Sequence, residues 1–260
     1  MTTVTSYART VRGSGPGLLL AHGASGGIEA NYGPILDGLA ARHTVVGVDY
    51  PGSGATPATQ NPLELDELAD QLVAAADAEG LDTFAVSGFS LGGPVAIRVA
   101  ARHPERVTAV VLSATFAHLD TRTELVIDIW HELMATGQHH LVAKYATVLA
   151  LGAPTLNSLT LEQARAVADQ TAQGISADMV AQIDLVRRAD VRADLASITV
   201  PTLVIVTVDD ALVPVALQRR LAAGIPGART EEIATGHLPF AEQPEQWLKL
   251  ITDFLGRTAR

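Results

Sequence analysis

Short apolar runs recur along the first half of the chain, each closing in a glycine-rich or polar turn and each followed by a stretch with helical spacing. The runs are Gly17 to Ala21, Thr44 to Val48, Thr83 to Ser87 and Val107 to Leu112. Their apolar character is continuous rather than alternating, as in strands covered on both faces. Pro62 to Glu79 and Leu91 to His103 carry apolar residues at helical spacing. Pro94 falls in the first turn of the second, where a missing N–H costs little. The strand pattern resumes at Thr202 to Val206 and Ala228 to Ile233, with helices expected over Val215 to Ala223 and Pro244 to Leu255. This repetition predicts an α/β fold with a mostly parallel central sheet flanked by helices.

The sheet pattern is interrupted from about Asp120 to Asp190, where amphipathic helical patterns replace strands: Arg122 to Ala135, His140 to Leu149, Leu161 to Gln173 and Ser176 to Arg188. Gly137, Gly152-Ala153-Pro154 and Gly174 are read as the breaks between them. The expected division is therefore an α/β core over 1–119 and 191–260, with a helical insertion over 120–190.

Composition narrows the partners. With 260 residues, 48% of them hydrophobic and 18% charged, the chain can bury one large core. A formal net charge of −10 opposes binding to phosphate backbones or anionic lipid, and Lys and Arg form no stripe, so neither nucleic acid nor a membrane is expected as a partner. No cysteine is present, which removes disulfides, thiolate nucleophiles and Cys-ligated metals. The polar stretch Met1 to Arg12 has no signal-peptide run, and a cytoplasmic location is the expectation.

The sharpest chemical signal is Gly88-Phe89-Ser90-Leu91-Gly92-Gly93, set between a predicted strand and a predicted helix. A serine on a tight strand-to-helix turn projects its Oγ clear of the backbone, with helix amides behind it. Alone the pattern is compatible with a plain turn. Gly236-His237-Leu238-Pro239-Phe240 follows another strand, on the same rim of a parallel sheet, so His237 can reach Ser90 as its base. A third loop, Thr207 to Pro214, offers Asp209 and Asp210, which compete to orient the histidine; either could instead cap the following helix. His22-Gly23-Ala24-Ser25-Gly26-Gly27 follows the first core strand and lacks the spacing and lysine of a phosphate loop. The Ala24 and Leu91 amides are the expected oxyanion donors. His139-His140 has no evident carboxylate partner and is assigned to the surface.

Taken together, His22-Gly23, Asp49-Tyr50-Pro51-Gly52-Ser53-Gly54, the Ser90 motif, Asp210 four residues before Pro214, and Gly236-His237 with Glu242-Gln243-Pro244 behind it resemble the α/β-hydrolase fold superfamily. The resemblance is to its small serine esterase-like and perhydrolase-like branch, and it runs almost end to end. It implies the order Ser90, Asp210, His237 for a catalytic triad and favours Asp210 over Asp209 by register. It also implies that the insertion is a cap over the site. Two departures are visible. Only Tyr7 to Val11 reads as a strand before the first core strand, where the family usually has a hairpin, and Thr207 stands where a glycine is common.

Serine as nucleophile suits a carbonyl carbon. The expected activity is cofactor-free and metal-free cleavage of a carboxylic ester, lactone or related acyl bond of a small hydrophobic molecule, through an acyl-enzyme on Ser90. Perhydrolysis, C–C bond hydrolysis and a triad-retaining ligand receptor are the alternatives. Phe89, Phe116, Trp130 and Met134, with His118 and Tyr145, are expected around the acyl group; the three insertion residues Trp130, Met134 and Tyr145 could equally form the insertion's own core.

Overall fold

A computed structural model of the protein describes residues 7–258. The chain begins with β1 (Arg9–Arg12), β2 (Gly17–Ala21), α1 (Ile28–Ala40), β3 (Thr44–Val48), α2 (Leu65–Ala78), β4 (Phe84–Phe89), α3 (Gly92–Arg102) and β5 (Val107–Ser113). Five helices follow without a strand: α4 (Thr121–Ala135), α5 (His139–Ala150), α6 (Ala153–Ser158), α7 (Leu161–Gln173) and α8 (Val180–Arg188). The sheet resumes with β6 (Thr202–Thr207), α9 (Val215–Gly224), β7 (Arg229–Ile233), α10 (Pro239–Glu242) and α11 (Pro244–Thr258).

The strands form one sheet in the order β1-β3-β2-β4-β5-β6-β7. All neighbours are parallel except β1, which runs antiparallel to β3. The strand-rich reading of the sequence agrees with this, with small shifts: β1 lies at Arg9–Arg12 rather than Tyr7 to Val11, and among the described residues no second strand is paired with it at that edge. The central strands β2, β4 and β6 are buried along their whole length, whereas the edge strands β1 and β7 are largely exposed and carry Arg9, Arg12, Arg229, Glu231 and Glu232. Charged, short edges are what keep a sheet from pairing with another chain.

Alternation along each strand divides the core into two clusters, one per face. Leu19, Ala21, Val46, Val48, Val204 and Val206 join the cluster beneath α2, α3 and α9; Leu18, Leu20, Val45, Leu203 and Ile205 join the one built on α1 and α11. In the latter, Trp247 is fully buried, lies 5.1 Å from the Tyr32 ring, and donates its indole N–H to Ser113 Oγ at 2.9 Å.

Three helices are absent from the sequence reading: α1, α6 and the four-residue α10. Gly33-Pro34 disguises α1, yet Ile28, Asn31, Tyr32, Ile35, Leu36 and Leu39 repeat at helical spacing and all face inward, so burial of that stripe outweighs the proline's missing bond. Gly152-Ala153-Pro154 follows the end of α5 as the break expects, and it also starts α6, with the proline in the first turn where it is tolerated. Among the described residues no helix is long and apolar enough to cross a membrane.

Helices α4 to α8 lie beyond the carboxyl ends of the strands. The Asp120 side chain caps α4 by accepting from the Thr123 amide at 2.9 Å, and Thr160 and Gln163 form a reciprocal capping box on α7. His140 pairs with Asp169 at 3.1 Å, a carboxylate partner that the sequence reading does not supply; both residues are exposed.

Candidate active site

The sheet reverses its winding between β2 and β4: the chain steps from β2 outward to β3, then returns to lay β4 on the other side of β2. Loops leaving the carboxyl ends of such a pair diverge and leave a crevice. Ser90 stands in the loop after β4, and residues 22–27 form the loop after β2.

Ser90 is held at φ 52°, a left-handed conformation that costs a non-glycine residue on the order of 1 kcal/mol or more. The surroundings enforce it. The Ser90 amide donates to Ser113 O at 3.1 Å, and Thr115 Oγ1 donates to Ser90 O at 2.6 Å. Two glycines permit the approach: a Cβ on Gly92 would strike the Ala21 carbonyl, and one on Gly88 would strike the Gly92 carbonyl.

His237 follows β7 and Asp210 follows β6. Ser90 Oγ lies 2.9 Å from His237 Nε2, and His237 Nδ1 lies 2.8 Å from Asp210 Oδ2. With Asp210 ionised, Nδ1–H donates to the carboxylate and Nε2 accepts the Ser90 proton. All three side chains are buried. Asp209 occupies the adjacent position without reaching the histidine; its amide donates to Thr235 O at 3.0 Å. The His237 amide itself donates to Ala150 O of α5 at 2.6 Å.

Asp210 is compensated on every side. Its Oδ1 accepts from the Leu212 and Val213 amides at 2.9 and 2.8 Å. Its Oδ2 accepts the Thr207 hydroxyl at 2.9 Å in addition to His237. Gln218, fully buried on α9, donates to Thr207 Oγ1 and to Val213 O at 2.8 Å each and accepts the Thr207 amide at 3.0 Å. Thr207, noted in the sequence only as a departure, thus occupies the glycine's place with a hydroxyl aimed at the acid. Gln218 has no sequence signal, because nothing about a helical glutamine reveals which loop its amide will meet.

The loop after β2 is pinned by His22. Burial pushes its imidazole down to about 4, so the ring is neutral at physiological pH. Nδ1 donates to Gly23 O at 2.7 Å, and Nε2 accepts the Tyr50 amide at 2.9 Å; the ring stacks on Tyr50 with centroids 3.8 Å apart. Gly23 O also accepts from Gly26 N at 3.3 Å, and Gly23 N donates to Asn31 Oδ1 at 2.9 Å. The Ala24 N–H shares a trans peptide with Gly23 O and points the opposite way, so the bonds on that carbonyl aim the amide. A Cβ on Gly23 would lie 3.1 Å from Ser90 Cβ, which shows how closely the loop approaches the serine. Among the described residues, the Ala24 and Leu91 amides have no protein acceptor, whereas those of Gly23, Ser25, Gly26, Ser90 and Gly93 do.

Ser90 and His237 open onto a cavity of about 660 Å³, within the range of small-molecule sites. Core residues such as Phe89, Phe116 and Leu212 and insertion residues such as Trp130, Ile183 and Val186 line it, and no Asp, Glu, Lys or Arg side chain does. Of the residues expected around the acyl group, Met134, His118 and Tyr145 are not on this wall. Met134 is buried in the hydrophobic cluster on α4, a helix that packs on α5 and α8, as the alternative of an insertion core expects. Tyr145 holds Val126 O through its hydroxyl at 3.1 Å and meets Trp130 edge to face. His118 lies beside Asp190, whose carboxyl is held down to about 2, chiefly by its hydrogen bonds to Arg192.

A parallel sheet with a serine elbow at its switch point, a histidine and an aspartate on two later loops, defines the architecture of a hydrolase of the α/β type. Residues 16–244 match the model of the alpha/beta hydrolase fold family, and the chain belongs to that family. It is 33% identical over 247 residues to a pyrrolizixenacetamide deacetylase of Xenorhabdus hominickii, covering 94% of this chain and 92% of that one. It is 28% identical over 252 residues to a pimeloyl-(acyl-carrier protein) methyl ester esterase of Aeromonas hydrophila, covering 94% and 97%. Among solved structures, MGS-M2, an alpha/beta hydrolase enzyme from a Medee basin deep-sea metagenome library, superposes with a TM-score of 0.87 over 96% of this chain and 94% of that one; at 18% identity this likeness concerns the fold.

Proposed function

We propose that the protein is a serine hydrolase that cleaves an ester, lactone, amide or related acyl bond of a small, uncharged, hydrophobic molecule through an acyl-enzyme on Ser90. The observation that carries this reading is the continuous chain of hydrogen bonds from Ser90 Oγ to His237 to Asp210, 2.9 and 2.8 Å long, at the floor of an uncharged cavity. His237 removes the Ser90 proton as Oγ attacks the carbonyl carbon, and Asp210 stabilises the imidazolium. The tetrahedral oxyanion is received by the Ala24 and Leu91 amides. His237 then protonates the leaving group and activates the water that releases the acid. The relatives named as a deacetylase and a methyl ester esterase agree with acyl chemistry at amide and ester carbonyls.

The insertion, residues 120–190, serves in this reading as a cap: its α4 and α8 supply Trp130, Ile183 and Val186 to the cavity wall, so it selects the substrate while the core performs the chemistry. An apolar wall excludes unpaired charge, because a buried carboxylate or ammonium without a partner costs several kcal/mol. Small p-nitrophenyl esters test the proposal. Ser90→Ala is expected to lower turnover by about 10⁴-fold or more with an unchanged melting transition; turnover equal to the parent would overturn it.

A further inference from the structure

The proposed function leaves unexplained a fully buried glutamine that belongs to the insertion. Gln182, on α8, has no exposed surface, and both amide hydrogens and the carbonyl oxygen are engaged. Its Oε1 accepts the Ser25 amide at 2.8 Å. Its Nε2 donates to Pro51 O at 2.9 Å and to Ser53 Oγ at 2.8 Å. These three partners lie on two loops that leave β2 and β3, both more than a hundred residues away along the chain.

Ser25 is the critical partner. It sits at φ 61°, a conformation that disfavours any residue with a side chain, and it immediately follows Ala24, whose amide the proposed function assigns to the oxyanion. The Ala24–Ser25 peptide plane is anchored through its N–H, and among the described residues Gln182 alone holds that N–H. On the other side of Ala24, the bonds on Gly23 O fix the preceding plane. Ala24 is therefore clamped between two peptide planes, one secured by the core and one by the insertion.

Resting on the serine-hydrolase reading, we infer that Gln182 is a positioning residue: it holds the Ser25 turn so that the Ala24 N–H points at the oxyanion, making the insertion part of the transition-state machinery rather than a cover alone. Loss of an oxyanion donor costs about 10²- to 10³-fold in kcat. Misaiming one rather than removing it should cost less, on the order of 10- to 50-fold.

The test compares Gln182→Leu with Ser53→Ala, each normalised by fluorophosphonate titration of functional Ser90. Ser53→Ala removes one amide partner and leaves the Ser25 contact. For Gln182→Leu the inference expects kcat on a p-nitrophenyl ester to fall about 10- to 50-fold with KM within about twofold, and affinity for a trifluoromethyl ketone, which forms a tetrahedral oxyanion on the serine, to fall in proportion. Ser53→Ala should keep parental kcat and ketone affinity. Parental kcat and ketone affinity in Gln182→Leu would overturn the inference, as would an equal loss in Ser53→Ala, which would mark the cluster as a structural tie. Amide hydrogen exchange in the unmutated protein gives an independent reading should Gln182→Leu not fold: the Ser25 N–H should be strongly protected, and exchange at the rate of an exposed loop would contradict the clamp. Failure of the underlying hydrolase reading looks different, because then the unmutated protein has no turnover that depends on Ser90.

Discussion

The two halves of the candidate site are built on different principles. On the sheet side, every chemical group is a polar residue on a loop at a strand's carboxyl end, held by a dense set of hydrogen bonds: Asp210 by Thr207, Leu212, Val213 and Gln218, and the loop after β2 by His22 and Asn31. On the insertion side, the wall facing the cavity is uncharged and mostly apolar, with Thr123, Thr147, Gln170 and Thr171 its polar members, and polar contact with the machinery reduces to a few bonds, chiefly those of Gln182 and of the Ala150 carbonyl with the His237 amide. The outer surface of the insertion differs as well, since Leu125, Ile129, Leu141, Val148 and Leu161 are exposed there, and among the described residues the core carries only Val11 in that class. In the proposed reading, reaction type belongs mainly to the hydrogen-bonded sheet side and substrate choice mainly to the insertion wall.

That division can be broken by experiment. The largest effect should come from Asp210→Asn, which keeps the shape but presents the wrong hydrogen-bond partner to Nδ1–H; kcat on a p-nitrophenyl ester should drop by about 10⁴-fold, and a drop under tenfold would remove Asp210 from the triad.

Next is the acid sensitivity of the sheet half. His22 is buried neutral, with its imidazole lowered from 6.5 to about 4, so below pH 6.5 the unfolded chain takes up a proton that the folded chain refuses. Stability from this group is complete above pH 6.5, declines as pH falls, and is lost by about pH 4, a change on the order of 3 kcal/mol. Urea midpoints measured across that window should fall with pH, and His22→Asn should flatten the slope.

The insertion half is probed through charge. A p-nitrophenyl hexanoate and the p-nitrophenyl monoester of adipic acid reach to similar depth, but the second ends in a carboxylate. The account expects kcat/KM for the anionic ester to be about 100-fold lower. Equal values would show that charge is accommodated by groups beyond the wall described.

The smallest effect belongs to Thr207→Val, which takes one hydrogen bond from Asp210 and leaves a Gln218 N–H without its acceptor. About a tenfold loss of kcat and about 1–2 kcal/mol of stability are expected. A change in stability with unaltered kcat would make Thr207 a structural residue only.

The same contrast explains what could be read from the sequence. The central strands are legible because burial on both faces writes a continuous apolar run, and Ser90 and the Asp209-Asp210 pair each follow such a run. His237 follows β7, an exposed edge strand of mixed polarity, and the choice of Asp210 over Asp209 rests on the family resemblance rather than on the strand. Helix α1 is obscured because Gly33-Pro34 is a local signal and the inward stripe that overrides it is tertiary. Met134 and Trp130 lie on one helix with similar chemistry, and only the packing of α4 on α5 and α8 decides that Trp130 meets the cavity while Met134 is buried away from it. Gln182 and Gln218 are illegible for a related reason: an amide becomes meaningful only through partners that folding brings to it, here from positions as far as 157 residues apart.

The central claim, that Ser90 carries the acyl group, is tested most directly by rapid quenching with a p-nitrophenyl ester followed by intact-mass and peptide mass spectrometry. The account predicts an adduct of one acyl group on the peptide containing Ser90, absent from Ser90→Ala. Sustained turnover with the acyl group on another residue, or with no dependence on Ser90, would contradict it.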